Sequence, residues 1–100
     1  MGQIQLTNEE RVQALRRFDY SEIQARFLCL VALFSGYFLS RQAAQFLAQE
    51  GGGSLADLVE IIFNNCHASA IAFDRNIHLY HLGARSLYAA LGQEDNRNRR

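Results

Sequence analysis

The sequence predicts a single, mostly helical α+β domain, and three observations lead to that prediction. Apolar residues recur with helical spacing through residues 21–34, 40–49 and 54–66. The pattern then changes to the alternation of short strands in residues 68–73 and 77–82. A chain of 100 residues is long enough for one hydrophobic core. We therefore expect three helices followed by a β-hairpin.

The composition is that of a folded protein with no overall attraction for nucleic acid. Apolar residues make up 49% of the chain and charged residues 20%, which are ordinary globular values. Ten acidic residues balance ten basic ones, so any affinity for DNA must come from a local patch. All ten basic residues are arginine, which indicates either a compositional bias or a use for phosphate and guanine contacts.

The expected location is the cytoplasm. The apolar segment 27–34 is interrupted by Ser35 and Gly36 and is too short to span a membrane, so no membrane partner is expected. The first residues lack the layout of a signal peptide. Cys29 and Cys66 both lie in apolar helical patterns, and we expect them to be buried free thiols in a reducing compartment.

Residues that can cap a helix precede the apolar repeats. They are Thr7, Ser21, Ser40 and Ser54. Glu10 and Gln24 follow the first two of them at the spacing of a capping box. The helix that begins after Thr7 carries few apolar residues, and we expect it to pack on the outside of the core.

The helix over residues 21–34 is predicted to be the central core helix. Its apolar side chains occupy nearly the whole circumference, and a helix of this kind is buried between neighbours. One face carries Ile23, Phe27, Leu30, Val31 and Phe34. The other carries Leu28, Cys29, Ala32 and Leu33.

The remaining segments complete the domain. The helix over 54–66 has one apolar stripe, composed of Leu55, Leu58, Val59, Ile62 and Cys66. A last short helix is predicted over 84–91. Residues 93–100 include no apolar residue, and we interpret them either as a disordered tail or as the start of a segment of a longer protein.

In this order of elements the chain resembles winged helix-turn-helix domains, in particular those of bacterial transcriptional regulators and of replication-relaxation proteins of mobile elements. The resemblance covers residues 21–91. It consists of a buried helix (FLCLVALFSGYFL), a small second helix (SRQAAQFLA), a third helix (SLADLVEIIFNN), and then two strands with a closing helix (ASAIAFDRNIHLYHLGARSLYAAL). It implies a winged-helix domain over residues 21–92, an N-terminal helix within 1–20 that packs on it, and a polar tail over 93–100.

The resemblance also implies binding to double-stranded DNA. Residues 40–49 correspond to the support helix, and residues 54–66 to the helix that enters a major groove. The hairpin turn would place Arg75 near a phosphate or the minor groove. The predicted DNA contacts are Arg41, Gln42, Ser54, Asn64, Arg75 and Asn76.

A second function stays open because the third helix has no basic residue. Its polar face carries Asp57 and Glu60, which phosphates repel. The first alternative is a DNA-binding transcriptional regulator or an accessory protein of mobile-element replication or transfer. The second is a homodimerisation or protein-interaction module on the same fold, with candidate contacts at Tyr37, Phe38 and Phe63. Burial in the core is the alternative for each of these rings.

No residue pattern indicates catalysis, a cofactor or a metal site. His78 and His81 lie three residues apart on an alternating strand, so they point to opposite faces. Cys66 and His67 have no second ligand pair at a metal-binding spacing. A nucleophilic Cys66 would have to be exposed, whereas its helical register predicts that it points inward. We therefore expect a protein that is not an enzyme.

Overall fold

The structure, a computed structural model, describes residues 6–74 and 77–100 and confirms the α+β class. Within these residues there are five α-helices, three strands and one 3-10 helix. In chain order they are α1 (Asn8–Arg16), α2 (Glu22–Phe34), β1 (Tyr37–Leu39), α3 (Ser40–Glu50), α4 (Leu55–Asn64), β2 (Ala68–Asp74), β3 (Ile77–Leu82), α5 (Arg85–Ala90) and the 3-10 helix Arg97–Arg99.

The three strands form one antiparallel sheet in the order β1-β3-β2. The two strands of the hairpin were predicted, whereas β1 lies in a stretch that we expected to be only a break between helices. It pairs Tyr37 with His81 and Leu39 with Leu79. A strand of three residues is too short to show an alternating pattern in the sequence. β1 forms because its backbone pairs with the edge of β3. The order of elements and strands is compatible with a winged-helix-like fold.

The helix starts follow the predicted caps with one exception. Both capping boxes are present, at Thr7 and at Ser21, and the Ser54 hydroxyl accepts a hydrogen bond from the amide of Asp57. Ser40 was predicted to cap α3, but the capping residue is Leu39, because β1 runs directly into the helix. The Ser40 hydroxyl instead accepts a hydrogen bond from the His78 amide, at 3.5 Å.

Every α-helix contributes to one hydrophobic core. The largest side chains that are fully buried include Leu15 of α1, Leu28 of α2, Leu47 of α3, Leu58 and Ile62 of α4, and Leu87 and Tyr88 of α5. The predicted apolar stripe of α4 is therefore confirmed at Leu58 and Ile62. Each such side chain contributes on the order of 1.5–3 kcal/mol of stability by leaving water.

A row of aromatic rings joins the helices to the sheet through this core. Phe38 of β1 lies at its centre, with ring centroids 5.1 Å from Phe27 of α2 and 5.0 Å from Tyr80 of β3. Phe46 of α3 packs on Phe27 at 5.2 Å, and Phe63 of α4 packs on Tyr80 at 6.2 Å. The row therefore links α3, α2, β1, β3 and α4.

The prediction that α2 is buried on all sides is wrong. Leu30 is 60% exposed and Phe34 is 88% exposed, although the rest of the helix packs against α1, α3 and β1. A chain of 100 residues has too few elements to surround a helix of 13 residues completely, because small domains bury a smaller share of their surface.

The two cysteines differ in their surroundings. Cys29 is buried, as predicted, and burial raises the pKa of its thiol to about 11, opposed by the nearby Arg11 charge. Cys66 was predicted to lie on the buried stripe of a helix over 54–66, but α4 ends at Asn64. Cys66 follows in a left-handed conformation, with φ of 57°, and its side chain is exposed. Neither thiol forms a disulfide.

The C-terminal residues pack against the domain, so the disordered alternative for 93–100 is wrong. The Asn98 side chain donates a hydrogen bond to the carbonyl oxygen of Ala32 in α2, at 2.8 Å. The Asn98 carbonyl oxygen accepts one from Nε2 of His81 in β3, at 2.9 Å. A polar segment is held here by hydrogen bonds, which apolar patterning does not reveal.

Two glycines provide a matched test of this docking. Gly36 and Gly51 both have positive φ, 80° and 72°. A Cβ at Gly51 would meet no atom within 4 Å, whereas one at Gly36 would overlap the carbonyl oxygen of Asn98. We expect Gly51→Ala to lower the free energy of unfolding by about 1 kcal/mol, the cost of the left-handed conformation. Gly36→Ala should cost about 1–3 kcal/mol more.

The measurement is urea unfolding of both variants beside the original protein. Equal losses in the two variants would mean that residues 96–98 do not pack against Gly36.

Candidate functional site

The predicted DNA contacts on α3 lie beside the hairpin. Arg41 and Gln42 are exposed in the first turn of the helix, and the Gln42 side chain accepts a hydrogen bond from the Leu39 amide at 2.8 Å. Because Ser40 bonds to the amide of His78, this turn is fixed next to the start of β3. A polar surface therefore runs from α3 onto the hairpin.

The predicted contacts on α4 are not brought together. Ser54 is exposed before the first turn and its oxygen is engaged by the Asp57 amide at 3.1 Å. Asn64 is exposed at the other end of the helix. A helix of ten residues is about 15 Å long, so these two side chains cannot meet the same base pair. Arg75 and Asn76 lie outside the described residues.

The exposed face of α4 is acidic. Asp57 and Glu60 are both exposed, and the segment LADLVEIIFN contains no basic residue. Among nearby arginines, Arg26 lies 3.6 Å from Glu50 in a partly exposed ion pair, which contributes little to stability. Arg41 is the exposed basic side chain at the start of α3, and any phosphate contact on the two helices depends on it.

The three predicted interaction residues differ in the exposed fraction of their side chains. Phe38 is 2% exposed, so its side chain belongs to the core and cannot contact a partner. Tyr37 is 41% exposed and stacks on His81, with ring centroids 4.3 Å apart. Phe63 is 40% exposed and its ring meets Tyr80 edge to face. Each of these two rings is shared between the surface and an internal contact.

Among the described residues, the most exposed large apolar side chains were missed in the sequence. Leu30 and Phe34 project from α2 between two grooves of about 410 and 320 Å³. Val12 and Cys29 line the first groove, and Phe38 lines the second. The sequence did indicate that some apolar side chains of α2 would be exposed, since the helix has more of them than a small domain can cover. Which positions are exposed depends on where α1 and α3 pack.

A buried polar pair fixes two turns to one another. Tyr20 and His67 are 3% and 1% exposed, and the Tyr20 hydroxyl lies 2.7 Å from Nδ1 of His67. Phe18 packs edge-on against the imidazole at 4.6 Å, and its carbonyl oxygen accepts a hydrogen bond from the Asn65 side chain. The turn before α2 is thus joined to the turn before β2.

Burial sets the protonation of this pair. It lowers the pKa of His67 to about 4 and raises the pKa of Tyr20 to about 12, although the Asn65 side chain acts in the opposite direction. At neutral pH the phenol therefore keeps its proton and the imidazole is neutral. We assign the phenol as the donor and Nδ1 as the acceptor, which places the imidazole proton on Nε2.

The structure also bears on membrane insertion and on metal binding. In residues 6–74 and 77–100, no helix is both long and apolar enough to cross a membrane. In the same part of the chain, no group of three or more histidine, cysteine or acidic side chains is arranged to hold a metal ion.

Comparison with protein-family models, with curated proteins and with solved structures finds no match for this chain. The likeness to winged-helix domains therefore depends on the order of elements and on the geometry described above.

The His67 pKa makes stability depend on pH. Between about pH 6.5, the ordinary histidine value, and about pH 4, the unfolded chain binds a proton at this residue and the folded chain does not. The free energy of unfolding should therefore fall as the pH drops through this window, by on the order of 1–3 kcal/mol.

Urea unfolding at neutral pH and near pH 4 measures the loss. His67→Gln should reduce the difference between the two pH values, and His78→Gln, at an exposed histidine, should leave it unchanged. All carboxylates are retained in both variants, so the comparison isolates His67. An equal pH dependence in both variants contradicts the assignment.

Proposed function

We propose that this protein is a cytoplasmic, non-enzymatic winged-helix protein that binds double-stranded DNA, as a transcriptional regulator or as an accessory protein of mobile-element replication or transfer. The observation that carries the proposal is the strand order β1-β3-β2, with the short strand β1 inserted before α3 and the β2–β3 hairpin following α4. Two successive helices and a hairpin wing in this arrangement are the elements that such proteins present to DNA.

The distribution of charge decides how the contact would be made. Asp57 and Glu60 repel phosphates, so α4 does not supply the main electrostatic attraction. Arg41 lies at the start of α3, and the Ser40 contact with His78 holds that turn beside the hairpin. The proposed phosphate contacts therefore lie on the first turn of α3 and on the hairpin, and affinity should depend strongly on salt.

The test is a titration of a mixed-sequence DNA duplex, followed by fluorescence anisotropy at a series of salt concentrations. We expect binding at low salt that weakens steeply as salt is added. Arg41→Gln should weaken binding to all sequences and reduce the slope of log K against log salt by about one, since one phosphate contact is lost.

The matched control is Arg16→Gln, which removes an exposed arginine of α1 and the same charge. Its affinity should be close to that of the original protein. Absence of binding at low salt would contradict the DNA proposal. Equal losses of DNA affinity in the two variants would show that Arg41 is not part of the proposed interface.

A second candidate function is homodimerisation through α2, and the exposed Leu30 and Phe34 favour it. An apolar patch on a small protein commonly marks an interaction site. This patch has a projecting ring, at Phe34, and grooves of about 410 and 320 Å³ on either side of it. A surface that offers both a knob and a matching groove is complementary to itself, as a two-fold dimer requires.

Sedimentation or light scattering across a range of concentrations tests this candidate. We expect a monomer–dimer equilibrium that Phe34→Ser shifts towards the monomer, because a desolvated aromatic anchor commonly contributes 2 kcal/mol or more to an interface, and so roughly thirtyfold or more in affinity.

Phe63→Ser serves as the comparison, since Phe63 is also an exposed phenylalanine, at 40% against 88% for Phe34, but lies on α4. Dissociation by Phe63→Ser alone would place the dimer contact on α4 and exclude α2. A monomer at every concentration would exclude both faces.

A further inference from the structure

A cavity of about 380 Å³ lies at the base of the hairpin, where no function has been assigned. Its walls are residues 66–69 at the start of β2, residues 81, 83 and 84 at the end of β3, and Arg99 of the C-terminal 3-10 helix. The contact between α3 and the hairpin lies at the other end of β3, at His78. The cavity is therefore separate from the proposed DNA surface.

Two buried side-chain nitrogen atoms, on residues that line this cavity, have no hydrogen-bond partner among the described residues. They are Nε2 of His67 and Nε of Arg99. An unsatisfied buried polar atom costs about 1–3 kcal/mol, and native structures contain few of them. Two further atoms of this kind, Nε of Arg11 and the Tyr88 hydroxyl oxygen, belong to residues that do not line the cavity. His67 and Arg99 line the same cavity, so a single bound group would satisfy both of their nitrogens.

Both nitrogens are donors. The guanidinium Nε of Arg99 always carries a proton. Nδ1 of His67 accepts from the Tyr20 hydroxyl, so Nε2 carries the imidazole proton, as assigned above. Two N–H groups on residues that line the same cavity, one of them on a cation, favour a negatively charged acceptor.

The other groups of the wall are compatible with an anion. Ser69 adds a hydroxyl, and no carboxylate lines the cavity within the described residues. His81 uses Nε2 to donate to the Asn98 carbonyl oxygen. The other ring nitrogen, Nδ1, is then an acceptor and can receive a hydrogen bond from a hydroxyl group of a ligand. Glu94, an acidic residue of the C-terminal segment, is paired with Arg85.

We propose that this cavity is a binding site for a small oxyanion, held by the Nε2–H of His67 and the guanidinium of Arg99. Charge-assisted hydrogen bonds from two preplaced donors supply affinity, and the depth of His67 below the surface selects a small ligand over a polymer. Because Arg99 belongs to the C-terminal segment and His67 to the turn after α4, an anion bound here also joins the end of the chain to the hairpin.

The experiment follows the side-chain N–H groups of histidine and arginine in nitrogen–proton correlation spectra. The protein is titrated with sodium phosphate, and separately with sodium acetate, at an ionic strength kept constant with sodium chloride. We expect saturable shifts of His67 Nε2–H and Arg99 Nε–H with at least one of the two anions, and no comparable shift at Arg97. The two arms show whether the ligand class is phosphate or carboxylate.

Arg99→Gln and Arg97→Gln form a matched pair, since both remove one arginine from the same 3-10 helix and Arg97 is exposed. Loss of a charge-assisted hydrogen bond should weaken binding roughly tenfold or more in Arg99→Gln, and Arg97→Gln should bind as the original protein does. Shifts that never saturate with either anion overturn the proposal, and so does equal affinity in the two variants.

Discussion

The packing of Phe38 between α2 and β3 is the contact on which the rest of the fold depends. Its ring touches Phe27 on one side and Tyr80 on the other, and its backbone is part of the pairing of β1 with β3. One residue thereby joins the helical half of the chain to the hairpin, across more than forty residues of sequence. Phe46 and Phe63 extend the same row to α3 and α4, so the angle between the helix pair and the hairpin is fixed by aromatic contacts.

The surfaces available for function follow from that packing. With β1 paired to β3, the first turn of α3 lies against the hairpin, and Arg41 is presented next to β3 rather than on a separate helix face. The same arrangement covers α2 from the sides of α1, α3 and β1 and leaves Leu30 and Phe34 uncovered. A polar surface and an apolar surface thus occur on one small domain, which is why DNA binding and self-association are proposed together and tested separately.

The polar interior has a different role from the aromatic row. Tyr20 and His67 join two turns that are distant in sequence, through a buried hydrogen bond of 2.7 Å. Their burial keeps both groups neutral, and the remaining imidazole proton lies on Nε2 of a residue that lines the same cavity as Arg99. His67, for which the sequence predicts no metal role, is therefore best understood as a neutral hydrogen-bond donor, held in one tautomer by a tyrosine.

The sequence by itself determined the class of the fold, because helical and strand periods and capping residues act over a few neighbouring positions. It located α2, α3, α4, both strands of the hairpin, α5 and two capping boxes, and it identified most of the inward residues of α4. Only the tertiary structure decided the existence of β1, the exposure of Leu30, Phe34 and Cys66, the burial of Phe38 and His67, and the docking of residues 93–100. Each of these features depends on a partner far away in sequence. β1 forms by pairing with β3, and His67 is buried against Tyr20. Leu30 and Phe34 are exposed because α1 and α3 leave a gap there, and Asn98 is held by Ala32 and His81. A local pattern records what a residue prefers, whereas burial and pairing depend on which distant surface it meets.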